Sequence, residues 1–156
     1  MLNSFTATRR DVAQVRSPVD DVWALLVQPE VLVRHTPFLH AIEDLGDGRW
    51  RWEVGGIRYP GGQFTTGFTE RMSFEPGRRI LFQHEPVSSH ELAGAEGRYE
   101  LSTSGTGTTL EIEVSITARL PAPRRAAPVI RKAMDVVIGQ MGRAFAAGLL
   151  KELGER

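Results

Sequence analysis

Cysteine is absent from the sequence. This absence excludes disulfide frameworks, thiol nucleophiles and cysteine-ligated zinc sites. An excess of charge of one sign is also missing, because Lys and Arg together number 19 and Asp and Glu together number 19. A protein that holds nucleic acid needs clustered cations against the phosphates. We therefore expect no nucleic-acid partner.

Long hydrophobic runs are also lacking. Residues 1–15 contain no apolar segment of signal-peptide length, and we identify no segment that would insert stably into a membrane. These absences predict a cytoplasmic protein. A chain of 156 residues fits one domain with a sizeable core, so we assign residues 1–156 to a single domain.

Recognisable metal-ligand and phosphate-loop motifs are missing as well. The four histidines, at positions 35, 40, 84 and 90, show no HExxH or similar spacing. The glycine pairs do not form a phosphate-binding loop. We expect no metal and no other cofactor.

Residues 124–153 show the pattern of one long amphipathic helix. Apolar residues recur there at three- and four-residue steps, which places them on one stripe. The stripe consists of Ile130, Met134, Val137, Ile138, Met141, Phe145 and Leu149. Gly139, Gly142 and Gly148 lie on it or at its edge, and each costs roughly 1 kcal/mol relative to Ala. Either a neighbour approaches this helix closely or space is left open beside it.

The N-terminal part predicts a strand followed by two short helices. Residues 5–15 read as the strand, with a bulge near residues 9–11 where the alternation is imperfect. Ser17 before a proline predicts the cap of the first helix. The second helix is predicted over residues 30–35, after Pro29 interrupts the first.

Residues 38–120 alternate between apolar and polar side chains, as in antiparallel strands with one wet and one dry face. Two of these strands are predicted over residues 63–75 and 79–85. Short turns indicate a meander, whereas residues 84–95 predict a longer, mobile connection. Glycines at 55, 56, 61, 62 and 67 would help the sheet to curve.

The order of elements predicts an α+β fold. In it, a curved antiparallel sheet of six or seven strands wraps around the long C-terminal helix, and two short helices follow the first strand. The dry face of the sheet needs a cover, and only the last helix has a long enough apolar stripe.

This layout and several stretches resemble the helix-grip superfamily of START domains, the birch-pollen allergen and polyketide cyclases, often called SRPBCC. The stretches are VRSPVDDVWALL at 15–26, PEVL at 29–32, EDLGDGRW at 43–50, FTER at 68–71, EPGRRI at 75–80, Gly97 and the C-terminal helix. The nearest similarity is to the carbon monoxide dehydrogenase G branch of this superfamily. The resemblance implies a hydrophobic cavity for a lipid, sterol, polyketide or other apolar molecule. It implies no universal catalytic residue.

Two ionisable residues interrupt the apolar face of the strands. Glu70 shares a face with Phe68, and His84 shares a face with Phe82. A buried carboxylate must be paired, protonated or next to water. If the two strands are hairpin neighbours, Glu70 and His84 could approach each other, and either orient a polar ligand group or transfer a proton. Alternatively, a bulge turns one of them outward, or they form a structural pair.

Candidate ligand-binding residues come from the dry face of the sheet and the helix stripe. They are Trp50, Trp52, Phe64, Phe68, Glu70, Phe82, His84, Tyr99, Met134, Ile138, Met141 and Phe145. The aromatic residues are core candidates first, but such a face can also define a pocket, with the Tyr99 hydroxyl as a polar group. Arg131 could meet a carboxylate or phosphate at a cavity mouth, or extend into solvent.

Three functions follow from this pattern together with what the resemblance implies. The leading hypothesis is binding or transport of a small hydrophobic ligand without catalysis. The alternative is an enzyme of the polyketide cyclase or aromatase type, in which Glu70, His84 or Tyr99 acts as acid, base or hydrogen-bond donor. The third is an assembly module with a collapsed interior. Thin charge on the outward side of the last helix, at Ala133 and Val136, predicts a homodimer surface or reflects helix propensity alone.

Overall fold

Seven antiparallel strands and three α-helices make up the described part of the chain, residues 2–59 and 62–155 of a computed structural model. The strands are β1 (Asn3–Val15), β2 (Leu39–Gly46), β3 (Arg49–Tyr59), β4 (Gly62–Glu75), β5 (Arg79–His84), β6 (Ala93–Ser104) and β7 (Gly107–Leu120). The helices are α1 (Val19–Leu26), α2 (Pro29–His35) and α3 (Ala127–Glu152), and a 3-10 turn at Arg124–Ala126 precedes α3. The predicted order of elements is confirmed.

The strands form one sheet in the order β1-β7-β6-β5-β4-β3-β2. Strands β2 to β7 are therefore the predicted meander, and β1 adds to the edge beside β7. The two short helices connect β1 at one edge to β2 at the other, so they close one end of the curved sheet. Leu26 of α1 and Leu32 of α2 are buried there.

The bulge predicted in the first strand is wrong. β1 pairs with β7 in an unbroken register from Asn3↔Leu120 to Val15↔Thr108. The alternation looks imperfect because Arg9 and Asp11 occupy inward positions, in phase with the buried Phe5. The register shifts lie elsewhere, in β2 and between Val54 and Ile57 of β3.

The shift between Val54 and Ile57 contains Gly55 and Gly56, two of the glycines that were expected to help the sheet curve. Gly56 has a φ of +76°, a left-handed backbone conformation that other residues seldom adopt. Gly61, which carried the same expectation, lies outside the described residues.

Ser17 does not cap α1 as predicted. Pro18 is the N-cap residue and makes no side-chain capping bond. The Ser17 hydroxyl instead donates to Glu155 Oε2 at 2.5 Å, and the Ser17 amide donates to the same oxygen at 3.0 Å. Together with a bond from the backbone N–H of Arg16, these bonds keep the pKa of the Glu155 carboxyl below its usual value. The end of the chain is thus tied to the start of α1.

Only the second half of α3 is well buried. Phe145 and Leu149 lie in the core, whereas Val129 is 75% exposed and Val136 is 53% exposed. The helix contacts β1 and α2. By length and composition alone, Arg124–Glu152 would suffice to cross a membrane, a feature that no pattern in the sequence singled out. Mostly buried core helices share this feature, but only 22% of the apolar window is buried here. One such helix is weak evidence, and the expectation of no stable membrane insertion stays a prediction.

The helix glycines confirm a close approach at one position and show ordinary contact, not open space, at another. A Cβ at Gly148 would lie 2.2 Å from ring atoms of His35 and 2.5 Å from its Cβ, so α2 packs directly against the helix backbone there. At Gly142 the nearest atoms are 3.7 and 3.8 Å away, on Asp11 and Arg9, which is ordinary contact.

We expect Gly148→Ala to lower the free energy of unfolding by about 1–3 kcal/mol, because the added methyl group overpacks the contact with His35. Gly142→Ala is the matched control. Its methyl group fits, and helix propensity favours alanine, so stability should be unchanged or slightly higher. Urea denaturation of both variants measures the difference. Equal stability of the two variants would contradict the close packing at Gly148.

Candidate functional site

The sheet and the second half of α3 enclose a cavity of about 360 Å³, within the range of small-molecule sites. Its walls are mainly apolar side chains of the sheet, with α1 and α2 at one end. Of the candidate ligand-binding residues, those that line it are Trp50, Trp52, Phe68, Glu70, Phe82, Tyr99, Ile138, Met141 and Phe145. The interior is therefore not collapsed.

Three of the candidates lie outside the lining. Phe64 is on the same face of β4 as Phe68 and packs against the core, but it lies beyond the register shift, near the end of the strand, and does not line the cavity. Met134 lies one turn before Ile138, the first residue of α3 in the lining. His84 is held beyond the end of the cavity by a hydrogen bond described below. These three residues do not line the cavity, and their role in ligand binding stays a prediction.

Glu70 is the acidic residue of the cavity wall. Its side chain is 1% exposed, and it lies opposite Trp50 on one side and His84 on the other. Oε2 accepts a hydrogen bond from the backbone N–H of Ala95 at 3.3 Å, and the buried Oε1 has no partner among the described residues. Burial raises the pKa of Glu70, and this effect outweighs the lowering by the Ala95 hydrogen bond. The resulting pKa is about 8. At neutral pH this group is a carboxylic acid that can donate a hydrogen bond.

The position of Glu70 follows from the short length of β5. This strand pairs with β6 only from Arg79↔Glu100 to Phe82↔Gly97, so β4 and β6 face each other across a gap beyond it. Backbone groups at such a gap need other partners. Glu70 takes the Ala95 N–H on one side, and Glu91 takes the Thr69 N–H at 2.8 Å on the other. Two carboxyl groups thus bridge the gap.

The partner of His84 is Glu91 and not Glu70. Glu70 and His84 are paired in register, as the hairpin predicted, but Nε2 of His84 lies 2.9 Å from Oε1 of Glu91. The ring of His84 covers Gly94, where a Cβ would lie 2.3 Å from it. The predicted Glu70–His84 pair is therefore wrong, because the nearby connection supplies a better acceptor.

Glu91 anchors residues 85–92, the connection that was expected to be mobile. Besides Thr69 and His84, it accepts a bond from the Val87 N–H at 2.9 Å. Burial raises the pKa of Glu91, but the bonds from Val87, His84 and Thr69 outweigh burial and leave the pKa below its usual value. No spacing in the sequence points to Glu91, because its partners come from β4 and β5 and are brought near only by the fold.

Two further polar groups belong to cavity residues and lack a protein partner. Nε1 of Trp52 is buried without a hydrogen bond, and the Trp52 ring stacks on Phe68 with centroids 6.2 Å apart. The Tyr99 hydroxyl makes no hydrogen bond to the rest of the described chain, and burial raises the pKa of Tyr99 to about 12, so it stays protonated. With Glu70 these are three donors on walls that are mainly apolar.

Charged residues lie where the cavity meets solvent. Arg9, Asp11 and Arg143 all contribute to the lining there. Arg131 does not line the cavity. Its side chain is exposed, as expected of an arginine that extends into solvent. Within residues 2–59 and 62–155, no group of three or more His, Asp or Glu side chains could hold a metal ion.

No protein-family model matches the sequence, and no curated protein matches it. Solved structures do match. A protein of Thermus thermophilus has a TM-score of 0.68 at 15% identity, covering 93% of this chain and 95% of that one. The Zhui aromatase/cyclase from Streptomyces sp. R1128 has a TM-score of 0.67 at 16% identity, covering 94% and 93%. A START superfamily protein from Mycobacterium smegmatis has a TM-score of 0.66 at 14% identity, covering 92% and 97%.

These matches show that the chain has the helix-grip fold of START-like proteins and aromatase/cyclases. At such identities they show the fold alone, because one fold carries many functions. The narrower similarity to the carbon monoxide dehydrogenase G branch stays a prediction.

The raised pKa of Glu70 predicts a pH dependence of stability. Between about pH 4.5 and pH 8 the folded chain keeps a proton that the unfolded chain loses, so the stability contribution of this group is full below that interval and falls as pH rises through it. Glu70→Gln mimics the protonated acid. It should flatten this fall and exceed the wild type in stability at pH 8, with little difference at pH 4.

Urea denaturation at pH 4, 6 and 8 measures this difference, and each pKa unit corresponds to about 1.4 kcal/mol. Glu43→Gln, which removes an exposed carboxyl group on β2, is the control for general charge effects. A wild type and a Glu70→Gln variant with parallel pH profiles would rule out a protonated Glu70.

Proposed function

We propose that the protein binds a small apolar molecule between the sheet and α3 and holds one polar group of that molecule with Glu70, Trp52 and Tyr99. The observation that carries this proposal is the buried Oε1 of Glu70, which has no partner in the part of the chain that the structure describes and lies in a mainly apolar cavity of about 360 Å³. Such a combination of apolar walls and a few polar groups is typical of ligand sites.

Two energetic terms favour such a ligand. Apolar surface removed from water contributes roughly 25 cal/mol per Å². The unpartnered donors of the cavity also remain unsatisfied in a dry interior, which costs about 1–3 kcal/mol for each group. A ligand carbonyl or hydroxyl group would satisfy them, because a neutral carboxylic acid both donates and accepts. The site should therefore prefer an oxygenated apolar molecule over a pure hydrocarbon.

A cyclase or aromatase activity is the second candidate, and the state of Glu70 favours it. A carboxyl group with a pKa of about 8 can both give and take a proton near neutral pH, as general acid–base catalysis requires. Two aromatase/cyclase-type structures with two domains share the fold with this chain, as the Zhui enzyme does. His84 has no part in this candidate, because its ring is bound to Glu91 outside the cavity.

The assembly module is not proposed, because it depended on a collapsed interior. The homodimer predicted from the outward side of α3 stays a prediction, and light scattering of the purified protein tests it.

Filling the cavity should abolish ligand binding. Val114 lines the cavity on β7, and Val114→Phe adds a ring to that space. Val136→Phe makes the same change on the exposed side of α3, outside the lining, and is the matched control. We expect Nile red, a neutral apolar dye, to bind the wild type saturably, and Val114→Phe to weaken binding at least tenfold.

Val136→Phe should bind the dye like the wild type. Fluorescence titration measures all three proteins, and thermal melting shows that each is folded. No saturable binding to the wild type, or equal binding by the folded Val114→Phe variant, would defeat the proposal. Retained binding by Glu70→Gln with loss of turnover on a polyketide-like substrate would favour the enzyme.

A further inference from the structure

The inward face of β1 carries two charged residues among apolar ones. Arg9 and Asp11 are in phase with Phe5, Ala7 and Ala13, and they are paired by a bond from Arg9 Nε to Asp11 Oδ2 at 2.7 Å. Their side chains are 34% and 46% exposed, and both line the cavity. The pair therefore lies at the mouth, where the cavity opens to solvent.

Helix α3 leaves room for this pair at its glycines. The point where a Cβ of Gly139 would lie is 3.0 Å from Nη1 of Arg9 and 3.1 Å from Nη1 of Arg143. The side chain of Arg143 thus folds back along the helix by one turn, towards the guanidinium group of Arg9. Any side chain at position 139 would crowd both groups, so the glycine creates a recess in which two cations meet.

The charges around this recess are unevenly paired. Asp11 is bound to Arg9, and Asp135 attracts Arg9 only at longer range. No carboxylate in the described ranges lies within ion-pair distance of Arg143, although Arg143 lines the cavity. One guanidinium group at the mouth is thus available to an incoming anion, and a second lies beside it.

We infer that Arg9 and Arg143, which with Asp11 form the rim cluster, bind the carboxylate of an amphipathic ligand whose apolar body fills the cavity. Guanidinium groups match a carboxylate with two parallel hydrogen bonds. At the rim the carboxylate keeps part of its water, so its desolvation is less costly than it would be in the interior. This inference rests on the proposed function, because it assigns one end of the ligand in the same cavity.

The two polar regions of the cavity lie on different walls. Arg9 belongs to β1 and Glu70 to β4, and three strands separate them in the sheet. The ligand would therefore run across the strands, with its carboxylate at the rim cluster and any oxygen of its body near Glu70. Because Glu70 is neutral at pH 7, it does not repel an anionic ligand.

The competing explanation is that the Arg9–Asp11 pair is purely structural and ties β1 to α3. A substitution of Asp11 distinguishes this structural role from the ligand role. In the ligand role, the carboxylate of Asp11 competes with the ligand for Arg9, so Asp11→Asn should tighten binding of an anionic ligand. In the structural role, its removal weakens the fold and gives no gain in affinity.

Competition of decanoate and 1-decanol against Nile red at pH 7 tests the inference, since the two differ only in the head group. The wild type should bind decanoate about tenfold more tightly than 1-decanol, which corresponds to about one charged hydrogen bond. Arg143→Gln should remove this preference and leave 1-decanol binding unchanged. Arg131→Gln, an exposed arginine of the same helix outside the lining, should change neither affinity.

The outcomes separate the two proposals. Equal affinities for decanoate and 1-decanol, or a preference that Arg143→Gln leaves intact, overturn the rim cluster while the apolar site stands. A failure of both compounds to bind overturns the proposed function and the rim cluster with it. Tighter decanoate binding by a folded Asp11→Asn variant supports the competition that the inference requires.

Discussion

The structure depends on a mismatch between the inner face of the sheet and the helix that covers it. Seven curved strands present an apolar face, and only the second half of α3, with α1 and α2 at one end, packs into it. Gly148 brings α2 to the backbone of α3, and Gly139 and Gly142 let Arg9 and Asp11 of β1 approach the helix. The helix is thus held against α2 and β1, and the cavity lies between its second half and the rest of the sheet.

The protonation states of the two glutamates beside β5 follow from the backbone hydrogen bonds that the short strand leaves unmade. Because β5 ends early, backbone donors on β4 and β6 need acceptors, and the chain supplies carboxyl groups. Glu91 accepts hydrogen bonds from Val87, Thr69 and His84, and these bonds favour the ionised form of its carboxyl group. Glu70 receives one donor in an apolar setting, which favours its neutral form. Two glutamates in the same gap thus take opposite protonation states, and only the neutral one belongs to the cavity wall.

Much of the fold was predictable because periodicity reports burial directly. The long helix, the two short helices and the meander are visible in the spacing of apolar residues. The site was predictable only in part. Glu70 stands out as a carboxylate on a dry face, but its real neighbours, Ala95 and Glu91, come from distant parts of the chain. Arg9 and Asp11 suggested a bulge, since a charged pair on an inward face and a slipped register give the same pattern.

The central claim is that an apolar molecule enters the space between the sheet and α3. Methyl-labelled nuclear magnetic resonance spectra recorded with and without 1-decanol test it most directly, because methyl groups report contact at known positions. The account predicts shifts at Ile112, Ile116 and Ile138, which line the cavity, and unchanged signals from Val129 and Val136 on the outer side of α3. Shifts confined to Val129 and Val136 would place the molecule on the surface and contradict the account.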